Sequence, residues 1–179
     1  DGAMGTYYQS LEGRSGENVD LANIQDSKTI EKIHREYIES GAQAIKTNTF
    51  GITAILEENQ NNKALFLLKA AVLNARKAAA DSRTAVIGDL GPCLLNEPGQ
   101  ASHAAGIYLW QLKEMYKLGI RYFLIETLSS SEGIAEAALW LQKQEEPCFL
   151  IVSYAVGADG MTMTGLSGRE LLEATAAIE

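Results

Sequence analysis

The chain has 179 residues, 46% of them apolar and 21% charged, a composition that suits one soluble globular domain with a sizeable core. Its formal net charge of −8 argues against nucleic acid or an anionic membrane as the main partner, because phosphate binding needs clustered Lys and Arg. No apolar run approaches the ~18 residues of a membrane span, and no signal peptide is visible.

The first stretch, "DGAMGT" at 1 to 6, reads as the edge that follows a strand lying before Asp1. A helix capped by Asp26 or Ser27 carries Ile30, Ile33, Tyr37 and Ile38 on one stripe, and Gly41 suits its stop. "QAIKTN" is a short strand, followed by the polar tip "TNTFG" at 47 to 51. A helical region covers roughly 52 to 82, broken near "NQNN", with Leu65, Leu68 and Val72 at helical spacing. "TAVIGDLGP" is a second strand ending in a Gly-Pro turn.

Residues 102 to 118 form an amphipathic helix with Ala105, Tyr108, Leu109, Leu112, Met115 and Tyr116 inward, ended by Gly119. "RYFLIET" is a third strand whose continuous apolar run predicts burial on both faces. Ile134, Ala137, Ala138 and Leu141 form the next inward face, and Pro147 ends that segment. "CFLIVSYAV" is a fourth strand, and "GADGMTMTGLSG" leads to a last helix opening near Ser167. The chain opens at Asp1 without a methionine and stops at Glu179 inside a helical pattern, so the expectation is a piece of a longer polypeptide.

Strand followed by helix, repeated, means an α/β fold with parallel strands and right-handed crossovers. An open doubly wound sheet and part of a (βα)8 barrel both satisfy the pattern, and both put functional groups at the carboxyl ends of strands. Those ends deliver Asn48 and Thr49, then Asp89, then Glu126 and Thr127, then Ser153 and Tyr154. Glu126 leaves an apolar strand, where an ionised carboxylate needs a cation or hydrogen-bond donors. A ligand's ammonium group serves; so does a helix cap or a neighbouring Lys.

The other titratable residues read as structural. Asp89 sits in a turn context, His34 on an apolar stripe as a satisfied core histidine, and His103 near a helix start in solvent. Arg14 and Arg169 read as ordinary exposed arginines. Cys93 and Cys148 lie far apart, fit no disulfide framework and suit a reducing cytosol; both read as buried packing residues. No Walker loop, dinucleotide fingerprint, C-x-x-C, H-E-x-x-H or G-x-S-x-G elbow is present.

Taken together, "DGAMGT", "IHREYIESGAQAIKTNTFG" at 33 to 51, "GDLGP" at 88 to 92, "LIET" at 124 to 127 and "VSYAVGADGMTMTG" at 152 to 165 resemble the homocysteine S-methyltransferase family. The resemblance implies a (βα)8 TIM barrel, of which residues 1–179 hold the first five βα units as one partial domain. It implies a cytoplasmic enzyme that moves a methyl group to the zinc-activated thiolate of homocysteine, giving methionine. By the same resemblance the substrate-binding residues are Asp1, Gly2, Asn48, Thr49 and Glu126, with Asp1 and Glu126 holding the amino acid.

The family's zinc cysteines, in an "NC" and a "GGCCG" motif on later strands, are absent here, so zinc ligands are expected beyond Glu179 and this piece alone is expected to be inactive. The methyl donor is left open between methylcobalamin, supplied with folate and cobalamin modules of a longer polypeptide, and betaine or S-methylmethionine. The reading from a different class is a non-catalytic α/β small-molecule-binding domain built on an open sheet.

Overall fold

Three helices precede the first strand in the computed structural model, which describes residues 2–11, 13, 16, 18–94, 101–176 and 178. They are α1 (Met4–Ser10), α2 (Val19–Gln25) and α3 (Ser27–Glu39). Asn18 caps α2, its side-chain oxygen accepting the N–H groups of Asp20 and Leu21 at 2.8 and 3.3 Å. Asp26 occupies the N-cap position of α3 and accepts the Thr29 hydroxyl at 2.9 Å. Ile30 and Ile33 face inward as their spacing predicts, joining Tyr8 and Ala22 in one apolar cluster. Gly41, at φ 98°, turns the chain out of the helix towards the first strand.

That strand is β1 (Ala44–Lys46), followed by α4 (Ile52–Glu57) and α5 (Asn61–Ala79). The break predicted at "NQNN" falls at Asn59, which takes φ 58°, a left-handed conformation that Asn tolerates better than most residues. β2 (Ala85–Leu90), α6 (Ala101–Lys117), β3 (Tyr122–Leu128), α7 (Ile134–Gln142), β4 (Phe149–Tyr154) and α8 (Gly168–Ala176) complete the alternation.

All neighbouring strands are parallel, and the sheet order is β1-β2-β3-β4. Spatial order therefore follows chain order without reversal. A doubly wound sheet reverses at a switch point, whereas a barrel wall adds each strand beside the last. The fold is thus the barrel alternative, with four strands among the described residues and α1 to α3 standing before the first of them.

The main core lies between one face of this sheet and α5, α6 and α7. Leu68, Leu90, Tyr108, Leu112, Met115, Phe123 and Ile125 share it, each fully or almost fully buried. Burial of a side chain the size of Phe123 contributes about 1.5–3 kcal/mol. α6 lies so close to β2 that a Cβ on Gly88 would stand 2.5 Å from the sulfur of Met115.

β3 departs from the expectation of burial on both faces. Phe123 and Ile125 are buried against the helices, but Tyr122 is 43% exposed and stacks on Phe149, itself 55% exposed, at a centroid distance of 5.2 Å. The apolar run reflects the face that a barrel turns towards its own interior, which takes branched and aromatic residues as readily as the helix-covered face. β4 pairs with β3 alone among the described residues, leaving Phe149 and Ile151 about half exposed.

Candidate active site

Strand parity decides which side chains meet. Lys46 stands opposite Ile87, and Ile87 opposite Tyr122. Side chains alternate between faces, so Asp89, two residues after Ile87, and Glu126, four after Tyr122, share the face of Lys46. Three successive strands therefore bring one ammonium and two carboxylates to the same face.

The contacts follow. Lys46 Nζ lies 2.9 and 3.0 Å from the two oxygens of Glu126 and 3.7 Å from Asp89 Oδ2. The side chains of Lys46 and Glu126 are 27% and 22% exposed, that of Asp89 only 5%. Burial pushes the Asp89 carboxyl up to about 7; the Lys46 charge opposes that rise and Glu126 adds to it. Asp89 Oδ1 is buried and has no hydrogen-bond partner among the described residues.

The polar tip after β1 has its own task. The Thr49 hydroxyl donates to the Asp89 carbonyl at 2.6 Å, the Asp89 N–H donates to Thr47 Oγ1 at 3.0 Å, and the two threonine oxygens are 2.6 Å apart. With Thr49 committed to the carbonyl, the Thr47 hydroxyl donates to Thr49 Oγ1. The pair bolts the end of β1 to the end of β2. Asn48 reaches the other way, donating to the Val19 carbonyl at 2.7 Å and to Asn23 Oδ1 at 3.2 Å, while Asn23 returns a bond to the Asn48 carbonyl at 2.8 Å. Asn74 on α5 donates to the Asn23 carbonyl at 3.0 Å, extending the chain of bonds into the helical layer.

Two glycines let backbone and side chains close in. A Cβ on Gly51 would lie 2.0 Å from Asp20 Oδ2, so only glycine leaves room for that carboxylate, whose pKa burial raises while the Gly51 N–H lowers it. A Cβ on Gly2 would meet the Tyr37 ring at 2.3 Å. Thr127, next to Glu126, takes φ 63°, costly for a β-branched residue, and the β3–β4 ladder shifts register between Ile125 and Leu128. Such strain at the end of a strand is a mark of functional sites.

These elements surround a cavity of about 470 Å³, lined by residues 2–6, by Val19 and Asp20, by residues 46–51, and by Asp89 and Glu126. Of the residues singled out from the sequence, Gly2, Asn48, Thr49 and Glu126 all line it; Asp1 lies outside the described residues, as does Arg14. Glu126 pairs with a lysine, as one of its readings required. Lys46 was not singled out, because a lone Lys in a short strand reads as a solvated residue. Asp89, read as a turn residue, is buried in the cavity wall instead. Chemically the wall offers carboxylates, hydroxyls and amides for a cationic or polar ligand, and its lining includes no thiol or imidazole.

Elsewhere, His34 is buried as expected but is not satisfied, since neither ring nitrogen has a hydrogen-bond partner among the described residues. Cys93 is buried, whereas Cys148 is only partly so, just before β4, an edge strand that no further strand covers among the described residues. Arg169 is exposed and pairs with Glu173 along α8. His103 is exposed on α6.

Comparison with known proteins agrees with the barrel fold. The family model described as homocysteine S-methyltransferase matches residues 1–179. Methionine synthases of Mycobacterium leprae and Mycobacterium tuberculosis are 33% and 32% identical over 106 residues, in each case 51% of this chain and 9% of the relative. The chain thus spans about a tenth of the curated relatives it matches. The crystal structure of the homocysteine methyltransferase MmuM from Escherichia coli, metallated form, superposes with a TM-score of 0.76 at 18% identity, over 99% of this chain and 69% of that one. Its oxidized form gives 0.79, over 99% and 68%.

Proposed function

Because this chain belongs to the homocysteine S-methyltransferase family, we propose that its cavity holds the amino-acid end of homocysteine while a methyl group is transferred to the sulfur, giving methionine. The observation that carries this reading is the excess of carboxyl groups over ammonium groups on the described cavity wall, where Asp20, Asp89 and Glu126 are set against Lys46. Glu126 and Asp89 share one ammonium, Lys46, and the second oxygen of Asp89 is left without a partner among the described residues. That oxygen is an acceptor for a second ammonium, that of an α-amino acid.

In this reading Glu126 and Asp1 hold the substrate ammonium. Asn48, Thr49 and Gly2 shape the floor and fix the direction in which the thiol leaves it. Holding the reactant in one orientation is the whole contribution of these residues to rate. Lys46 holds the Glu126 carboxylate in place before the ligand arrives.

Zinc supplies, when bound, the means of turning a thiol into a thiolate near neutral pH. The described residues lining this cavity do not fit a thiolate–zinc centre: they include no thiol or imidazole, and Lys46 already stands between the carboxylates. No activating step is assigned to them. The reading places the zinc ligands elsewhere in the parent polypeptide and treats residues 1–179 as the substrate-positioning part of a cytoplasmic enzyme, inactive by itself. The small share of the methionine synthases that is matched supports a parent with further domains.

Calorimetric titration tests the reading. The chain is expected to bind L-homocysteine at least about tenfold more tightly than 4-mercaptobutyrate, which lacks only the amino group, because a buried ionic hydrogen bond is worth about 1.5–3 kcal/mol. Glu126→Gln is expected to erase most of that preference. Equal affinity for the two thiols in the unaltered chain rejects the assignment.

A further inference from the structure

We propose that Glu57, Cys93 and His103 form a binding site for one divalent ion of the zinc class, outside the homocysteine cavity. A carboxylate oxygen, a sulfur and an imidazole nitrogen from these residues all lie within 4.8 Å of one another. A tetrahedral ion at ~2.0–2.3 Å from each needs its ligand atoms roughly 3.3–3.8 Å apart. His103 is the exposed member of the three, so its ring is the donor expected to turn towards the ion.

The fold supplies the three donors from three elements. Glu57 is the last residue of α4, Cys93 follows the end of β2, and His103 lies in the first turn of α6. Two of them are already in place: Cys93 Sγ is 3.1 Å from Glu57 Oε1. The backbone around the thiol is pinned on both sides, the Cys93 N–H donating to the Tyr108 hydroxyl at 2.9 Å and the Leu94 N–H to Glu57 Oε1 at 2.7 Å. Partners that orient the ligands in this way govern affinity nearly as much as the ligands do.

Burial grades from Cys93, buried, through Glu57 to exposed His103, which gives an ion a way in from solvent. His103 also borders a separate recess of about 260 Å³ with Asn59, Asn61 and Trp110. None of the three donors lines the homocysteine cavity. One sulfur, one nitrogen and one oxygen select zinc or cobalt over magnesium or calcium, which require oxygen alone.

On binding, the Cys93 S–H proton is released to solvent and a sulfur–metal bond takes its place. The thiolate and the Glu57 carboxylate then balance the two charges of the ion. Water fills the fourth position. The bound ion ties α4, the segment after β2 and α6 to one point.

Cobalt(II) is the probe, added to the folded 179-residue chain. The expected result is one ion per chain with a thiolate-to-cobalt absorption band. The sequence has only two cysteines, so the band has two possible sources. Cys93→Ser is expected to abolish it and Cys148→Ser to leave it unchanged. His103→Ala, a surface change that leaves the core alone, and Glu57→Gln are each expected to weaken binding by more than about tenfold. Zinc is expected to raise the thermal unfolding midpoint of the unaltered chain but not of His103→Ala. Absence of stoichiometric binding, a band that survives Cys93→Ser, or unchanged affinity in His103→Ala overturns the proposal. None of these readouts depends on whether homocysteine binds at the mouth.

Discussion

Lys46 Nζ stands 2.9 Å from Glu126 Oε1 and 3.7 Å from Asp89 Oδ2, so a single ammonium on β1 serves carboxylates from both of the next two strands. Removing it leaves two partly desolvated negative charges facing each other. Lys46→Met is expected to cost about 1–3 kcal/mol in urea unfolding at pH 8, below the full penalty of a deeply buried pair because Lys46 and Glu126 keep some solvent contact. Glu126→Gln, which removes a charge rather than orphaning two, is expected to cost less. Equal losses in the two variants would contradict the shared-cation geometry.

Asp89 gives that cluster a pH dependence of definite sign. Burial raises its folded pKa from the ordinary 3.8 to about 7, so folding favours the neutral carboxyl. The stabilising contribution is complete below the unfolded value and is lost as pH rises through about 7. Asp89→Asn holds the neutral state at every pH. The slope of stability between about pH 4 and 7 is expected to flatten in that variant, as followed by urea midpoints across the range.

His34 acts in the opposite direction. Burial without a partner lowers its pKa from 6.5 to about 4, so the folded protein holds the neutral ring. Stability from this residue is present above the unfolded value and is lost as pH falls from about 6.5 through about 4. The loss reaches about 3 kcal/mol. His34→Leu is expected to remove this acid limb, and thermal melts at pH 7 and pH 4.5 measure it directly.

The threonine bolt is testable by near-isosteric change. Thr47→Val leaves the Asp89 N–H without its acceptor and Thr49 Oγ1 without its donor. A cost of about 1–3 kcal/mol is expected for the unsatisfied amide. Hydrogen exchange at Asp89 is expected to speed up more than exchange at Phe123, deep in the core.

Much of this architecture is legible in the residues. Ile30 and Ile33 on α3, or Tyr108, Leu112 and Met115 on α6, announce their helices by spacing alone, and Asn59 marks a break by its tolerance of positive φ. Glu126 announces itself by following an apolar run. Lys46 does not, because its significance depends on register: only the pairing Lys46–Ile87–Tyr122 brings it to the face of Glu126 and Asp89. Asp89 is obscured by the Gly-Pro pair close after it, which reads as a turn and offers a sufficient local reason for an acid. The half-exposed Tyr122 and Phe149 show the converse limit, since an apolar strand residue states its affinity for an interior without stating what lies across from it.

The bolt between Thr47, Thr49 and Asp89 also makes one stretch of the cavity wall a single cross-linked unit. The tips of β1 and β2 are tied to each other and, through Asn48, to the helices behind them. Beyond β3 the rim is built differently: Thr127 sits in a strained conformation, and the segment from Ala155 to Leu166 is largely open to water. The described lining of the cavity accordingly reaches no further along the chain than Glu126, the last residue of β3 to face it.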